Sequence, residues 1–352
     1  MGSLLFYLGS FVAMIFLAAL SERCFRKGYK KLGILLIVLI LCALVVIAGF
    51  RQNVGTDYKS YVAMYNNYSY LEPGNRLIFD IAHVMSDDYR VVFVLYALVT
   101  NSIALYAIYR NRNNASVALS VAAYLFVIFP FTLNVMRQGV AIAACLLVYV
   151  YFLEGRLKRS LILTIIAMLF HPSAAIVVPF LVATMMSKDK KIVRNSILMS
   201  VMMAGLIIVA YRVFGMSFGS NGEYSNYIES TSFGVSSIIL MASYLPFLIF
   251  FRFFGKRIND RKTNILKGAV LFGVVFEFIF SSSEVSRCAL YFTSALVVLM
   301  PMPFEKMQRN TNTGLIKMLY IGFLIAYFVI VYNVYGRAGI FPYSNSLIGV
   351  AG

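Results

Sequence analysis

From Ser3 to Tyr335 this chain is a succession of long apolar runs joined by mostly short polar loops. A helix crosses the hydrocarbon core of a bilayer in roughly 20 apolar residues. Lipid offers no partner for an open backbone N–H or C=O, so runs of this length resolve as helices that satisfy their own backbone. Hydrophobic residues make up 61% of the 352 residues and charged ones 13%, which excludes a soluble domain. The expected fold is an all-α polytopic membrane protein, one integral domain over residues 1–352. Cys42, Cys145 and Cys288 lie in or beside apolar runs and Cys24 in a basic loop, so no disulfide framework is indicated. The first run is followed, not preceded, by its basic cluster (Arg23, Arg26, Lys27, Lys30, Lys31). That is the wrong polarity for a cleaved signal peptide and predicts a retained helix.

The pattern predicts spans at 3–20, 32–50, 91–109, 115–131, 137–153, 195–214, 236–254, 265–283, 288–304 and 314–335. The stretch 160–186 needs a different reading. One helix there would put Lys188, Lys190, Lys191 and Arg194 outside, against the preference of positive charge for the cytoplasm. His171-Pro172 falls near its middle, and proline disfavours helix at the residue before it. Two half-helices, 160–170 and 172–186, meeting near the outer side resolve both conflicts. The count is then about twelve helices with both termini outside. Loops 51–90 and 215–235 become outer segments that cover a cavity.

This topology sends twenty-three of the thirty-one basic residues to the cytoplasm, so the net charge of +17 is mostly an orientation signal and implies no nucleic acid. Eight remain outside: Arg51, Lys59, Arg76, Arg90, Arg137, Arg212, Arg287 and Arg337. Seven are arginine, whereas the inner set divides almost evenly between lysine and arginine. Planar, bidentate recognition of phosphate or carboxylate favours arginine. Surface pairing with Asp57, Glu72, Asp80, Asp87, Asp88, Glu223, Glu229 or Glu284 is the plainer alternative for any one of them.

Arg137-Gln138 opens an apolar helix whose N-terminus points outward, where free N–H groups and the helix dipole both favour an anion. Arg287 stands at the start of 288–304 in the same way. His171, before Pro172 and Ser173, opens a third outward start; a structural cap at the break is the alternative role. Three such mouths suit a diphosphate. In the first outer loop Arg51 precedes Gly55-Thr56-Asp57, five tyrosines (58, 61, 65, 68, 70) and Glu72-Pro73-Gly74. Arg76, Asp80, His83 and Asp87 then recur at helical spacing among apolar residues. That predicts an amphipathic helix lying in the interface with its polar stripe facing a cavity, or a plain solvated face. There is no DxD, HExxH, GxSxG or phosphate-binding glycine loop, so neither metal nor cofactor is expected.

Taken in order, these stretches resemble the EpsG-type and Wzy-type polysaccharide polymerases of bacterial envelopes. The likeness lies in Arg51…Gly55-Thr56-Asp57…Tyr61…Tyr65, Glu72-Pro73-Gly74, Asn134…Arg137-Gln138-Gly139…Ala141, Glu154-Gly155-Arg156-Leu157-Lys158, Phe170-His171-Pro172-Ser173-Ala174 and Arg287…Tyr291-Phe292. The chain departs at Asn75-Arg76, where an aromatic residue is usual after Glu-Pro-Gly. The resemblance implies a metal-independent glycosyltransferase of the bacterial inner membrane, with its active site on the periplasmic or outer side. It would move a growing O-antigen, capsule or exopolysaccharide glycan from undecaprenyl diphosphate to the non-reducing sugar of a new lipid-linked unit. Its partners would be that lipid-linked donor and acceptor, the bilayer and a chain-length regulator protein. In that reaction Arg137, Arg287, Arg51 and Gln138 would bind the diphosphate. His171, Asp57 and Glu72, in that order, are the candidates for the base. Tyr58, Tyr61, Tyr65, Tyr291 and Arg76 would meet the glycan.

Two other functions fit parts of the pattern. A lipid-linked oligosaccharide flippase would place charge along the helix interiors, whereas Glu277 is the main charge within these spans. A glycosyltransferase using a sugar on a lipid monophosphate would also place a carboxylate in the first outer loop, as Asp57 is.

Overall fold

The structure is a computed structural model and describes residues 2–214, 235–254, 260–281, 283–305, 307 and 311–351. The outer segment expected at 215–235 lies outside these except for its last residue, and the side chain of Arg212 is likewise outside them. The regular structure of the described residues is all helix, with no strand; only isolated bridges join Arg51 to Asn345 and Asn345 to Val350.

In chain order the helices are α1 (Gly2–Arg26), α2 (Lys30–Gly49), α3 (Tyr58–Met64), α4 (Pro73–Met85), α5 (Arg90–Arg110), α6 (Val117–Ala123), α7 (Phe129–Thr132), α8 (Met136–Leu153) and α9 (Leu157–Phe170). Then come α10 (Val177–Met186), α11 (Ile192–Phe214), α12 (Val235–Phe254), α13 (Arg261–Ile279), three short helices α14 (Leu290–Thr293), α15 (Leu296–Leu299) and α16 (Met302–Glu305), and α17 (Thr311–Phe328). Among the described residues, seven segments are long and apolar enough to cross a membrane: Gly2–Arg26, Lys30–Gly49, Arg90–Arg110, Met136–Leu153, Asp189–Ala210, Glu284–Glu305 and Asn312–Val334. Val117–Thr132, Pro172–Met186 and Ala242–Phe253 are shorter apolar helices.

Packing runs α1 on α2 and α6, α2 on α5, α5 on α8, α8 on α9, and α11 on α13. The centre is α8. From Gln138 to Tyr151 every residue is buried, with alanines at 141, 143 and 144. A helix apolar on all sides belongs inside a bundle. In lipid, where burial has little hydrophobic reward, small residues let neighbouring backbones close up and gain van der Waals contact.

The irregular stretches have local causes. Pro130 has no N–H to give the ladder, and the turn before it, Tyr124–Ile128, widens to π-helix. A second π-turn, Val329–Val334, ends the helical run of α17, and Tyr332 in it donates to the Val127 carbonyl in the first at 2.6 Å. The chain breaks at His171, extended at φ −156°, between α9 and a 3₁₀ turn, Pro172–Ile176, that leads into α10.

Helix α4 presents three faces. Ile78, Phe79 and Ala82 are buried, Leu77, Ile81, Val84 and Met85 form an exposed apolar ridge, and Arg76, Asp80 and His83 form an exposed polar stripe. Of the two readings of its spacing, this exposure fits the solvated face. His83 stacks on Tyr65 at 4.1 Å between ring centres and faces Tyr68 at 5.0 Å. Asp80 accepts a hydrogen bond from the Tyr68 hydroxyl at 2.9 Å.

Candidate functional site

The first turn of α8 follows a turn at 133–135, and three distant parts of the chain converge on it. The first is the loop before α3. Asn134 Oδ1 accepts from the Asp57 N–H at 2.7 Å and lies 3.1 Å from the Thr56 hydroxyl. This leaves the Asp57 carboxylate half-buried at the edge of the mouth, touched by Thr56 Oγ1 at 3.2 Å and in no ion pair among the described residues.

The second part is the start of α4. Glu72 precedes Pro73 at the first helical position, where proline's fixed φ is already helical. Its Oε2 accepts from Arg137 Nη1 at 3.0 Å and from Asn75 Nδ2 at 2.7 Å. The Arg137 backbone N–H donates to the Tyr61 hydroxyl at 3.2 Å. Arg137 Nε is buried with no hydrogen-bond partner. The Tyr61 hydroxyl and the Glu72 carboxylate are the groups that face the Arg137 guanidinium.

The third part is the break after α9. His171 Nδ1 lies 2.7 Å from Ser173 Oγ and 3.2 Å from the Tyr291 hydroxyl, and those two oxygens are 2.9 Å apart. With the proton on Nδ1, His171 donates into this group and leaves Nε2 free to accept. The chain around His171 lowers its pKa from the ordinary 6.5 to about 4. Desolvation is the largest cause; the Arg137 charge lowers it further, Glu72 opposes, and Arg287 adds a smaller lowering. The ring is therefore neutral near pH 7.

Asn75 ties the second part to the third. It is fully buried; its Nδ2 also donates to the Phe170 carbonyl at 2.8 Å, and its Oδ1 accepts from the Tyr96 hydroxyl at 2.8 Å. Gly74 makes the approach possible, because a Cβ there would stand 3.0 Å from the Leu169 carbonyl oxygen. Gln138 closes the group from the other side, donating to the Arg287 carbonyl at 3.2 Å.

Arg137, Gln138, Glu72, His171 and Arg287 are thus brought together, with Asp57 one turn away. Several expectations need correction. Arg51 is almost fully buried and its guanidinium turns back to the Ala48 and Val54 carbonyls and over the Phe93 ring, 4.8 Å away. It caps the end of α2 and does not face the mouth. The faces of Tyr58, Tyr61 and Tyr65 are packed against Phe93, Tyr96 and His83, and Tyr291 is wholly buried, so none offers a platform for sugar. Arg76 is exposed on the polar stripe of α4. Arg287 does not open a long helix. It lies in a 3₁₀ turn, Glu284–Ala289, paired with Glu284, and the following span is divided by turns into α14, α15 and α16. Short 3₁₀ pieces carry little of the dipole that was expected of a helix start.

Sequence reasoning passed over Asn75, Asn134 and Ser173 as site residues. The departure at Asn75 from the expected aromatic was the signal for the first of them.

These features define a multi-pass, all-helical membrane protein whose central helix presents a cluster of arginine, carboxylate and neutral histidine at one end. The chain belongs to the EpsG family, whose model matches residues 34–345. Membership carries a glycosyltransferase-like role in membrane polysaccharide biosynthesis. Neither curated proteins nor solved structures give a match.

Proposed function

We propose that the protein is a polysaccharide polymerase of the bacterial inner membrane. It transfers a growing glycan from undecaprenyl diphosphate to the non-reducing sugar of a new lipid-linked unit. The cluster faces the periplasm or exterior, in a topology of about twelve helices that keeps the basic loops cytoplasmic. The observation that carries the reading is the convergence of Arg137, Glu72, His171 and Arg287 at the first turn of α8.

The chemistry follows from that arrangement. The acceptor hydroxyl gives its proton to His171 Nε2 as its oxygen bonds to the anomeric carbon of the donor. The bond from that carbon to the phosphate oxygen breaks, and its electron pair leaves with the diphosphate. Charge grows on the leaving group, and Arg137, Arg287 and the N–H groups of α8 stabilise it most strongly in a low-dielectric site. Glu72 holds Arg137 in position, and Asp57 orients the acceptor. General bases contribute about 10²–10⁴ in rate where their pKa lies near the working pH, and the negative charge of the bound diphosphate would raise that of His171 towards it.

Glycan analysis of a strain lacking the protein tests this. The expected result is single repeat units on the lipid carrier at the outer leaflet. Units held at the inner leaflet would instead make the protein a flippase and overturn the proposal.

A further inference from the structure

The C-terminal segment after α17 makes a large set of contacts that the proposed reaction does not use. In the turn that opens it, three residues adopt the left-handed region: Gly336 at φ 73°, Ala338 at φ 68° and Gly339 at φ 59°. Alanine is uncommon there, and such a conformation persists where the surroundings hold it. The holding group is Arg337. Its Nη2 pairs with Glu277 at 2.7 Å, and Glu277 also accepts from the Tyr244 hydroxyl at 2.9 Å. The pair is almost fully enclosed.

What the turn presents is the Gly339 carbonyl, which accepts from the Gly55 N–H at 2.9 Å. A Cβ on Gly339 would stand 2.9 Å from Thr56 Cγ2, so the two loops are in direct contact at the residue before Asp57. The Arg337 guanidinium also lies over the Phe131 ring at 5.3 Å, and the Phe131 carbonyl accepts from the Asn134 N–H at 3.0 Å. One arginine thus braces both sides of the contact that fixes Asp57: the Gly55-Thr56 loop through Gly339, and the Asn134 turn through Phe131. Beyond the turn the segment fastens itself to the end of α2. Gln52 N–H donates to Ser344 at 2.9 Å, the Tyr343 hydroxyl to Ile47 at 2.9 Å, and Asn345 Nδ2 to Val46 at 2.9 Å.

We propose that Arg337, anchored by Glu277, is a positioning residue that seats the Gly55-Thr56-Asp57 loop on the Asn134 turn and so sets where the Asp57 carboxylate stands. That Asp57 meets an acceptor sugar rests on the function proposed above; the seating of the loop does not.

The test is a compensating pair. Gly339→Ala drives a methyl into Thr56 Cγ2, and Thr56→Ser removes that methyl while keeping the hydroxyl that faces Asn134. A spin label at Ser60, exposed on α3, reports loop seating independently of activity. Purified protein is compared at equal amounts for label mobility and for polymer turnover. Gly339→Ala is expected to loosen the label and lower turnover by about 10- to 100-fold, the scale of a small misplacement of a reacting group. Adding Thr56→Ser is expected to recover part of both, the remainder being the strain of alanine at φ 59° and its contact with the Thr56 backbone nitrogen. Should Gly339→Ala fail to reach the membrane, Phe131→Leu removes the second brace with less disturbance and is expected to act in the same direction. Unchanged mobility and turnover in these variants, or no recovery with Thr56→Ser, overturns the positioning role. A label that responds as expected in a protein with no polymer turnover supports the positioning role and rejects the polymerase.

Discussion

Two arginine–carboxylate pairs in this molecule have the same chemistry and opposite surroundings. Arg137–Glu72 spans 3.0 Å with both side chains 24% exposed, whereas Arg337–Glu277 spans 2.7 Å with side chains 10% and 3% exposed. Each joins segments far apart in the chain. The first opens beside a neutral histidine and a helix N-terminus; the second is closed in by Tyr244 and the Phe131 ring. A half-buried pair can exchange its carboxylate for a ligand's phosphate, because solvent reaches part of it. An enclosed pair cannot, and its value lies in fixing which segments meet. Buried pairs add little net stability but are costly to break, since one partner is left as an unpaired charge.

The comparison is broken most severely by removing the base from the open site. His171→Asn keeps a capping side chain but no useful proton acceptor. Turnover is expected to fall by about 10²–10⁴ at normal protein abundance. Retained polymerisation in His171→Asn, with its loss in Asp57→Asn, would transfer the role to Asp57.

The closed pair is expected to respond in stability. Arg337→Ala strands Glu277 and costs about 3–5 kcal/mol, read as lower membrane abundance and a lower unfolding temperature in detergent. Replacing both partners, Glu277→Leu with Arg337→Met, is expected to recover much of that stability, since the uncompensated charge is gone. Recovery of stability without recovery of turnover would sharpen the division between holding the fold and seating the loop.

A smaller effect appears with pH. The His171 pKa is lowered to about 4 in the folded protein from 6.5 when unfolded. Between those values the unfolded chain binds more protons, so stability falls as pH drops from about 6.5 towards 4 and is flat above. The full shift corresponds to about 3 kcal/mol. Unfolding measured across this window in wild type and His171→Asn should show the slope in the first and its reduction in the second. The acid limb of kcat/KM should lie near pH 4, not near 6.5.

Much of the fold was legible because length and hydropathy dictate it: α1, α2, α5, α8 and α17 lie close to the runs that predicted them. The break at His171-Pro172 was legible because proline and the basic residues after Ser187 impose it together. The division of 288–304 into short helices was not, since its hydropathy is that of an unbroken span. The fate of the loop tyrosines was also hidden. Tyrosine has an apolar body and a polar tip, and only the closeness of α5 shows that Tyr58 and Tyr61 spend their faces on Phe93 and Tyr96. Arginine behaved similarly. Arg51, Arg137, Arg287 and Arg337 read alike as outer cations, and their surroundings divide them into a helix cap, two members of the candidate site and the proposed brace.

The most direct test of this division is a paired measurement on Arg137→Lys and Arg337→Lys, recording unfolding temperature and per-molecule polymer turnover for each purified protein. Lysine keeps the charge and loses the planar, forked donors. The expected result for Arg137→Lys is an unfolding temperature near wild type with turnover lowered by about 10²–10³, or ~2–4 kcal/mol in the transition state. For Arg337→Lys the larger loss is expected in unfolding temperature. Wild-type turnover in Arg137→Lys would contradict the assignment of the open pair as the diphosphate site.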